Sequence, residues 1–194
     1  RLETLLGEES RVSVSPALQA QLADLASFLP AIPGKTKAWK MATLGINAAI
    51  GARQDATLAH NALRYARELD PAEERLKKTL DWFLALNPAL AGNDAVTPGM
   101  SLLEYKRLIA LDHLHAGKHH LSIGTLNEIL ILEPNDLVAL KRLGSAYYSI
   151  GLAAKAREAW THALKLSPHD AQLKKFLQKL PPSRVSRKKK AQNE

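Results

Sequence analysis

A short motif that recurs at a fixed distance constrains the fold more than any other feature of this sequence. Leu-Glu-Pro-Asn-Asp at 132–136 returns as Leu-Ser-Pro-His-Asp at 166–170, and we call the distance between the two copies the repeat length. A fixed period of about 20–50 residues is typical of chains built from stacked copies of one small unit. Each copy buries its apolar face against the next. The repeat length therefore predicts two structural repeats, 103–136 and 137–170.

The composition indicates that these repeats are helical. Hydrophobic residues make up 46% of the 194 residues and charged residues 24%, whereas aromatic residues make up 5%. The apolar residues are mostly Ala and Leu, with little of the alternation typical of strands, so the sequence favours helices. The chain contains no cysteine, which excludes disulfides, thiolate zinc ligands and a cysteine nucleophile.

The second repeat carries small and large apolar residues at a characteristic spacing. They are Leu140, Leu143, Gly144, Tyr147, Ala156, Trp160, Ala163 and Pro168. This series and the repeat length resemble the signature and the period of the tetratricopeptide repeat (TPR) family at every position except the first, where Leu replaces Trp. The resemblance implies two antiparallel helices per repeat, with Gly144 and Ala156 small so that the helices can approach closely.

The first repeat is a weaker copy of the second. The equivalent residues are Ile109, Ala110, Gly117, Ser122, Leu126, Ile129 and Pro134, and His113 stands in place of the tyrosine. The resemblance implies an all-α fold of antiparallel helical hairpins stacked as a right-handed α-solenoid. We expect residues 171–180 to form the helix that covers the last apolar face of the stack.

The rest of the chain is also predicted to be largely helical. Residues 1–34 are expected to hold one helix at about 17–29, and 35–90 a helical region with faint, out-of-register echoes of the repeat. Candidate helix starts are Asp55 and the segment Asp70-Pro71-Ala72-Glu73. Ser101 and Glu104 form a capping box that begins the 101–180 domain, and we place the main boundary within 87–99. Because two repeats are fewer than such stacks need, we expect the N-terminal helices to complete the stack.

The resemblance places a partner-binding groove on the first helix of each hairpin. Steps of one repeat length align Arg107, Lys141 and Lys175, which would stack three cations on one side of that groove and favour an acidic ligand. A solvated charged face is the other interpretation of these cations. Peptide contacts would come from neighbouring residues. The predicted groove residues are Arg107, Leu111, Leu114, Lys141, Ser145, Tyr148 and Lys175.

Some relatives of this family bind chaperone C-termini through a two-carboxylate clamp that needs asparagines in the first two hairpins. Here Leu111 and Arg142 stand where asparagine is expected, and Phe176 replaces the last basic residue. The sequence therefore argues against chaperone-tail binding.

No catalytic, cofactor or metal site is predicted. The chain has no Gly-rich phosphate loop, no nucleophile elbow and no HExxH motif, so we expect no enzymatic activity. Four histidines cluster near the turn of the first hairpin, but without cysteine and with Asp112 as the only nearby carboxylate we interpret them as packing and helix-end residues. They are His113, His115, His119 and His120.

Residues 181–194 form a basic tail without apolar periodicity. Its cations are Arg184, Arg187, Lys188, Lys189 and Lys190. Such a tail attracts nucleic acid or anionic lipid, or merely keeps the chain soluble.

The leading hypothesis is a scaffold or assembly factor for a protein or peptide partner, in a setting expected from composition to be a bacterial multi-protein complex. The alternatives are a polyanion-binding protein that acts through the tail and self-assembly through an uncapped N-terminal face. No apolar run is long enough for a membrane span, so we expect a soluble chain. Because it begins at Arg1, we expect a processed or truncated product, and the compartment stays open.

Overall fold

The computed structural model describes residues 36–50, 54–91 and 99–181, and all regular structure in these ranges is helical. The predicted helix at 17–29 and the basic tail lie outside the described residues. The chain divides into two compact units, residues 1–93 and residues 94–194. The expectation that the N-terminal helices complete the stack of repeats stays a prediction.

The N-terminal unit contains four described helices. They are α1 Lys37–Ile50, α2 Ala56–Leu69, α3 Glu74–Leu86 and the single turn α4 Pro88–Ala91. α1 packs closely on α2 because Gly45 has no side chain: a Cβ there would lie 2.7 Å from Cγ of Leu63. α2 in turn packs on α3, and Leu80 and Phe83 of α3 join Leu63 in the core.

The helix starts follow the capping residues, with one exception. Asp55 accepts a hydrogen bond from the backbone NH of Leu58 at 2.8 Å and begins α2, as predicted. The interpretation of Asp70-Pro71 as the start of the next helix is wrong, because α3 is capped by Glu73 and begins at Glu74. The Glu73 carboxylate holds both the side chain and the backbone NH of Arg75, which lowers the pKa of Glu73 to about 2. These bonds outweigh the proline signal and fix the start of the helix at a later residue.

The C-terminal unit consists of two helical hairpins and a final helix. Its elements are α5 Leu102–His115, α6 His119–Leu132, α7 Leu137–Ser149, α8 Ala153–Leu166 and α9 Ala171–Lys179. Ser101 and Glu104 form the predicted capping box of α5. The turns within the two hairpins contain Gly117 and Gly151, which both adopt a positive φ, 69° and 78°. The period of the sequence is thus repeated in the backbone, and the TPR-like fold of antiparallel hairpins is confirmed in this unit.

The second hairpin closes around a contact between glycine and tryptophan. Trp160 of α8 is 3% exposed and donates a hydrogen bond from Nε1 to the carbonyl oxygen of Lys141 at 3.1 Å. A Cβ at Gly144 would lie 2.2 Å from that same Nε1 atom. In the first hairpin Ala110 stands one repeat length before Gly144, and its carbonyl oxygen accepts a hydrogen bond at 2.8 Å from the fully buried Ser122, which stands one repeat length before Ala156. The predicted close approach of paired helices is confirmed.

The last helix covers the second hairpin. Leu173 of α9 is fully buried in one cluster with Leu140, Trp160 and Ala163. Leu180, directly after α9, is buried in the same cluster. The opposite side of α9 carries Lys174 and Lys175 and is exposed. α9 therefore ends the hydrophobic core with a charged surface, which is the role predicted for 171–180.

Substituting Gly144 by Ala should destabilise the C-terminal unit by about 1–3 kcal/mol, because the added methyl group overlaps the Trp160 ring. This is the reverse of the usual preference for Ala over Gly in a helix, which is worth about 1 kcal/mol. Urea unfolding of the full chain, followed by tryptophan fluorescence, measures the change.

Gly124→Ala is the matched control, since Gly124 also lies within a helix but a Cβ there meets nothing within 4 Å. It should stabilise the chain by about 0.5–1 kcal/mol. If the two substitutions shift the urea midpoint in the same direction, the tight glycine–tryptophan contact is contradicted.

Candidate functional site

Two of the predicted groove cations bind the aspartate that begins the next first helix. Nε of Arg107 on α5 donates to Oδ2 of Asp136 at 2.9 Å, and Nζ of Lys141 on α7 donates to Oδ2 of Asp170 at 2.8 Å. The partners are equally far apart in sequence in both pairs, and the second pair follows the first by one repeat length. The ion pair is therefore itself part of the repeat.

Each aspartate also caps its helix with its other oxygen. Oδ1 of Asp136 accepts from the backbone NH of Ala139 at 2.8 Å. Oδ1 of Asp170 accepts from the backbone NH groups of Gln172 and Leu173 at 2.9 and 3.0 Å. The Lys141 ammonium and then the NH of Leu173 hold the pKa of Asp170 below its usual value. One carboxylate thus starts a first helix and ties it to the first helix of the preceding hairpin.

These pairs change what the three aligned cations can do. Arg107 and Lys141 are directed at carboxylates of their own chain, so their charge is largely balanced within the structure. Lys175 is exposed on α9 and has no ion pair with any residue that the structure describes. A uniform stack of three cations facing a ligand stays a prediction, and Arg107 and Lys141 are better explained as structural residues.

A pocket of about 210 Å³ opens between α7, α8 and α9. We call it the aromatic pocket, and its lining residues are Ser145, Tyr148, Ser149, Trp160, Phe176 and Lys179. Trp160 stacks on Phe176 with ring centroids 5.0 Å apart, and Tyr148 lies 5.9 Å from Trp160 at a tilt of 41°. Tyr148 is 51% exposed, so three rings form a continuous apolar wall that reaches the solvent.

The aromatic pocket combines residues that the sequence predicted with others that it missed. Ser145 and Tyr148 are predicted groove residues, whereas Leu111 and Leu114 lie half-buried on α5 and do not line it. Lys179 and Phe176 were not predicted as contacts, although a step of one repeat length from Ser145 leads to Lys179. The repeat length could therefore have found Lys179, but the stacking of Phe176 on Trp160 depends on how α9 packs.

A second hollow of about 300 Å³ is more open and lies between α7 and α8, beside Tyr147 and His162. Lys155 holds its ammonium 5.4 Å from the centroid of the Tyr147 ring, and Glu158 lies on the same rim. Its charges are of both signs, so it is less specific for a ligand than the aromatic pocket.

The histidines do not gather with carboxylates. Within 36–50, 54–91 and 99–181 no group of three or more His, Asp or Glu side chains is close enough to hold a metal ion. The five cations of the basic tail lie outside these ranges. No helix in the described ranges is both long and apolar enough to cross a membrane.

Comparison with known proteins gives likenesses of fold only. No family model and no curated protein matches the chain. Among solved structures, this chain is similar to the first TPR of Spaghetti (RPAP3) bound to an HSP90 peptide. The match covers 77% of this chain and 94% of that chain, at 14% identity and a TM-score of 0.36. The chain is also similar to a mutant of MamA, where the match covers 73% of this chain and 79% of that chain, at 18% identity and a TM-score of 0.37. Likenesses at these TM-scores do not identify a partner, so the function has to be argued from the chain's own residues.

Replacing Asp170 by Asn should lower stability more at pH 7 than at pH 3. Asn caps a helix about as well as Asp, so the substitution removes mainly the ion pair with Lys141. The pKa of Asp170 is lowered on folding, so its ionised form stabilises the fold above the ordinary pKa of 3.8, and this contribution is lost as the pH falls through the folded-state pKa. The difference between the urea midpoints of the two proteins, measured from pH 7 to pH 3, should begin to shrink as the pH falls below about 4.

Asp112→Asn is the control, because the Asp112 side chain is exposed and forms no ion pair with any described residue. Its midpoint should follow that of the parent chain across the range. A gap between parent and Asp170→Asn that stays constant down to pH 3 would contradict the ion pair.

Proposed function

We propose that this chain is a non-enzymatic protein-interaction scaffold that holds a segment of a partner protein on the face formed by its first helices, α5, α7 and α9. The observation that carries the proposal is the aromatic pocket. Tyr148 is 51% exposed beside the stacked Trp160 and Phe176 rings, so about half of its surface is open in the isolated chain and a partner side chain can cover it.

The charge around the pocket indicates the character of the segment. α9 carries Lys174, Lys175 and Lys179 and no acidic residue. Lys179 lines the pocket, and the charge of Asp170 at the start of α9 is already balanced by Lys141. An apolar side chain flanked by carboxylates therefore complements this surface.

The first test is selection of short random peptides on the immobilised full chain, followed by calorimetry with the peptides that are enriched. Tyr148→Ala should weaken their binding about tenfold or more, since aromatic residues at the centre of such a contact dominate its energy. Lys179→Glu should weaken acidic peptides more than neutral ones.

Two matched controls lie on the second helices, away from the pocket. Leu121 on α6 is 55% exposed and Lys165 on α8 is exposed, so Leu121→Ala and Lys165→Glu repeat the same kinds of change elsewhere. If the controls weaken binding as much as the pocket variants, or if no peptide is enriched, the proposal fails. Binding of nucleic acid or anionic vesicles that is lost on truncation after Leu180 would instead favour the tail as the functional part.

A further inference from the structure

Two guanidinium groups lie beside one carboxylate where α5 meets α7. Arg107 forms its ion pair with Asp136, whereas Nη1 of Arg142 donates to the backbone carbonyl oxygen of Arg107 at 2.6 Å. Among the described residues, no carboxylate forms an ion pair with Arg142. The three side chains together carry one uncompensated positive charge.

Both oxygens of the Asp136 carboxylate are already engaged by other partners. One caps α7 through the NH of Ala139 and the other binds Arg107. The Asp136 side chain is 1% exposed, so it is enclosed by these partners. A guanidinium offers five N–H donors, and a backbone carbonyl satisfies one of them without neutralising the charge.

Arg142 is also half-buried. Burial, and secondly the neighbouring charge of Arg107, lower the pKa of Arg142, and Asp136 offsets this only in part. A partly dehydrated cation beside a second cation is unfavourable until an anion reaches it. The Arg107 side chain is 31% exposed, so the cluster is accessible from solvent.

We call the contact between two successive first helices a junction. The junction of α7 with α9 has a different side chain at the position that Arg142 occupies in the junction of α5 with α7. Phe176 on α9 stands one repeat length after Arg142 on α7, and there the Lys141–Asp170 pair is balanced. Equivalent places on successive first helices thus present a cation at one junction and an aromatic ring at the other.

Arg142 lies close to the aromatic pocket on α7. Arg142, Ser145 and Ser149 follow a spacing of three and then four residues, which places them on one face of a helix. Three residues correspond to about 4.5 Å along the axis. An extended peptide advances about 3.3 Å per residue. A peptide that crosses α7 can therefore reach from Arg142 to the aromatic pocket with about two to four residues.

We propose that Arg142 anchors a carboxylate of the partner segment, about two to four residues from the apolar or aromatic side chain that enters the aromatic pocket. This inference rests on the proposed function and specifies its ligand. A carboxylate fits better than a phosphate, because it matches the single uncompensated charge of the cluster and accepts two N–H donors from a planar guanidinium.

The experiment uses the full chain and the most enriched peptide from the selection, together with a version in which its acidic residue is replaced by the amide. Arg142→Gln should weaken the acidic peptide about tenfold and the amide version about twofold or less, because only the former loses a charged hydrogen bond. Arg142→Lys should restore part of the affinity, because it returns the charge without the planar pair of N–H donors of a guanidinium. Arg67→Gln on α2 is the control, since it removes an exposed guanidinium from the other unit.

Peptides with a free and an amidated C-terminus distinguish a side-chain carboxylate from a terminal one. Loss of binding on amidation would assign the anchor to the C-terminal carboxylate.

The anchor is overturned if Arg142→Gln weakens the acidic and the amide peptide equally, or weakens neither. A tenfold loss of affinity in Tyr148→Ala would still support the aromatic pocket in that case. If Arg142→Gln lowers the urea midpoint, Arg142→Lys decides, because the anchor requires that it bind the acidic peptide more tightly than Gln does. No effect of either Tyr148→Ala or Arg142→Gln would overturn both proposals.

Discussion

The C-terminal unit depends on one carboxylate per repeat that performs two tasks. Asp136 and Asp170 each cap a first helix with one oxygen and bind a cation of the preceding first helix with the other. The cap fixes where the helix begins, and the ion pair fixes how far that start lies from its neighbour. Because both bonds use the same side chain, the start of each of these helices and its distance from the preceding first helix are linked. This interaction converts a sequence period into a regular stack.

The sequence predicted most of what local bonds and close packing determine. The capping box at Ser101 and the close helix contact at Gly144 each follow from one residue type whose physical role is narrow. The predicted start of α3 was wrong because two capping signals lie within four residues of each other. The helix begins after Glu73, which binds Arg75, and not at Pro71. Predictions fail where neighbouring residues compete for the same backbone groups.

The contacts of the candidate site could be predicted only in part, because the repeat length does not determine them. The repeat length identifies equivalent positions but does not show which of their side chains face each other. Arg107 and Lys141 were therefore aligned as equivalent positions, but the sequence did not show that each binds an aspartate that follows it by less than one repeat length. Phe176 could not be placed against Trp160 from sequence, because that contact depends on the angle at which α9 packs.

One repeat position has different contacts at its two occurrences in the stack. Gly144 and Asp136, which hold helices together, occupy other positions of the repeat than Arg142 and Phe176. Phe176 stacks on Trp160 and contributes to the packing of α9, whereas Arg142 donates to the backbone of α5. In this chain one position therefore presents charge at the first junction and an apolar wall at the second. The proposed anchor and pocket would therefore require a fixed order of acidic and apolar side chains along the bound segment, because the charge and the apolar wall lie at successive places along the stack.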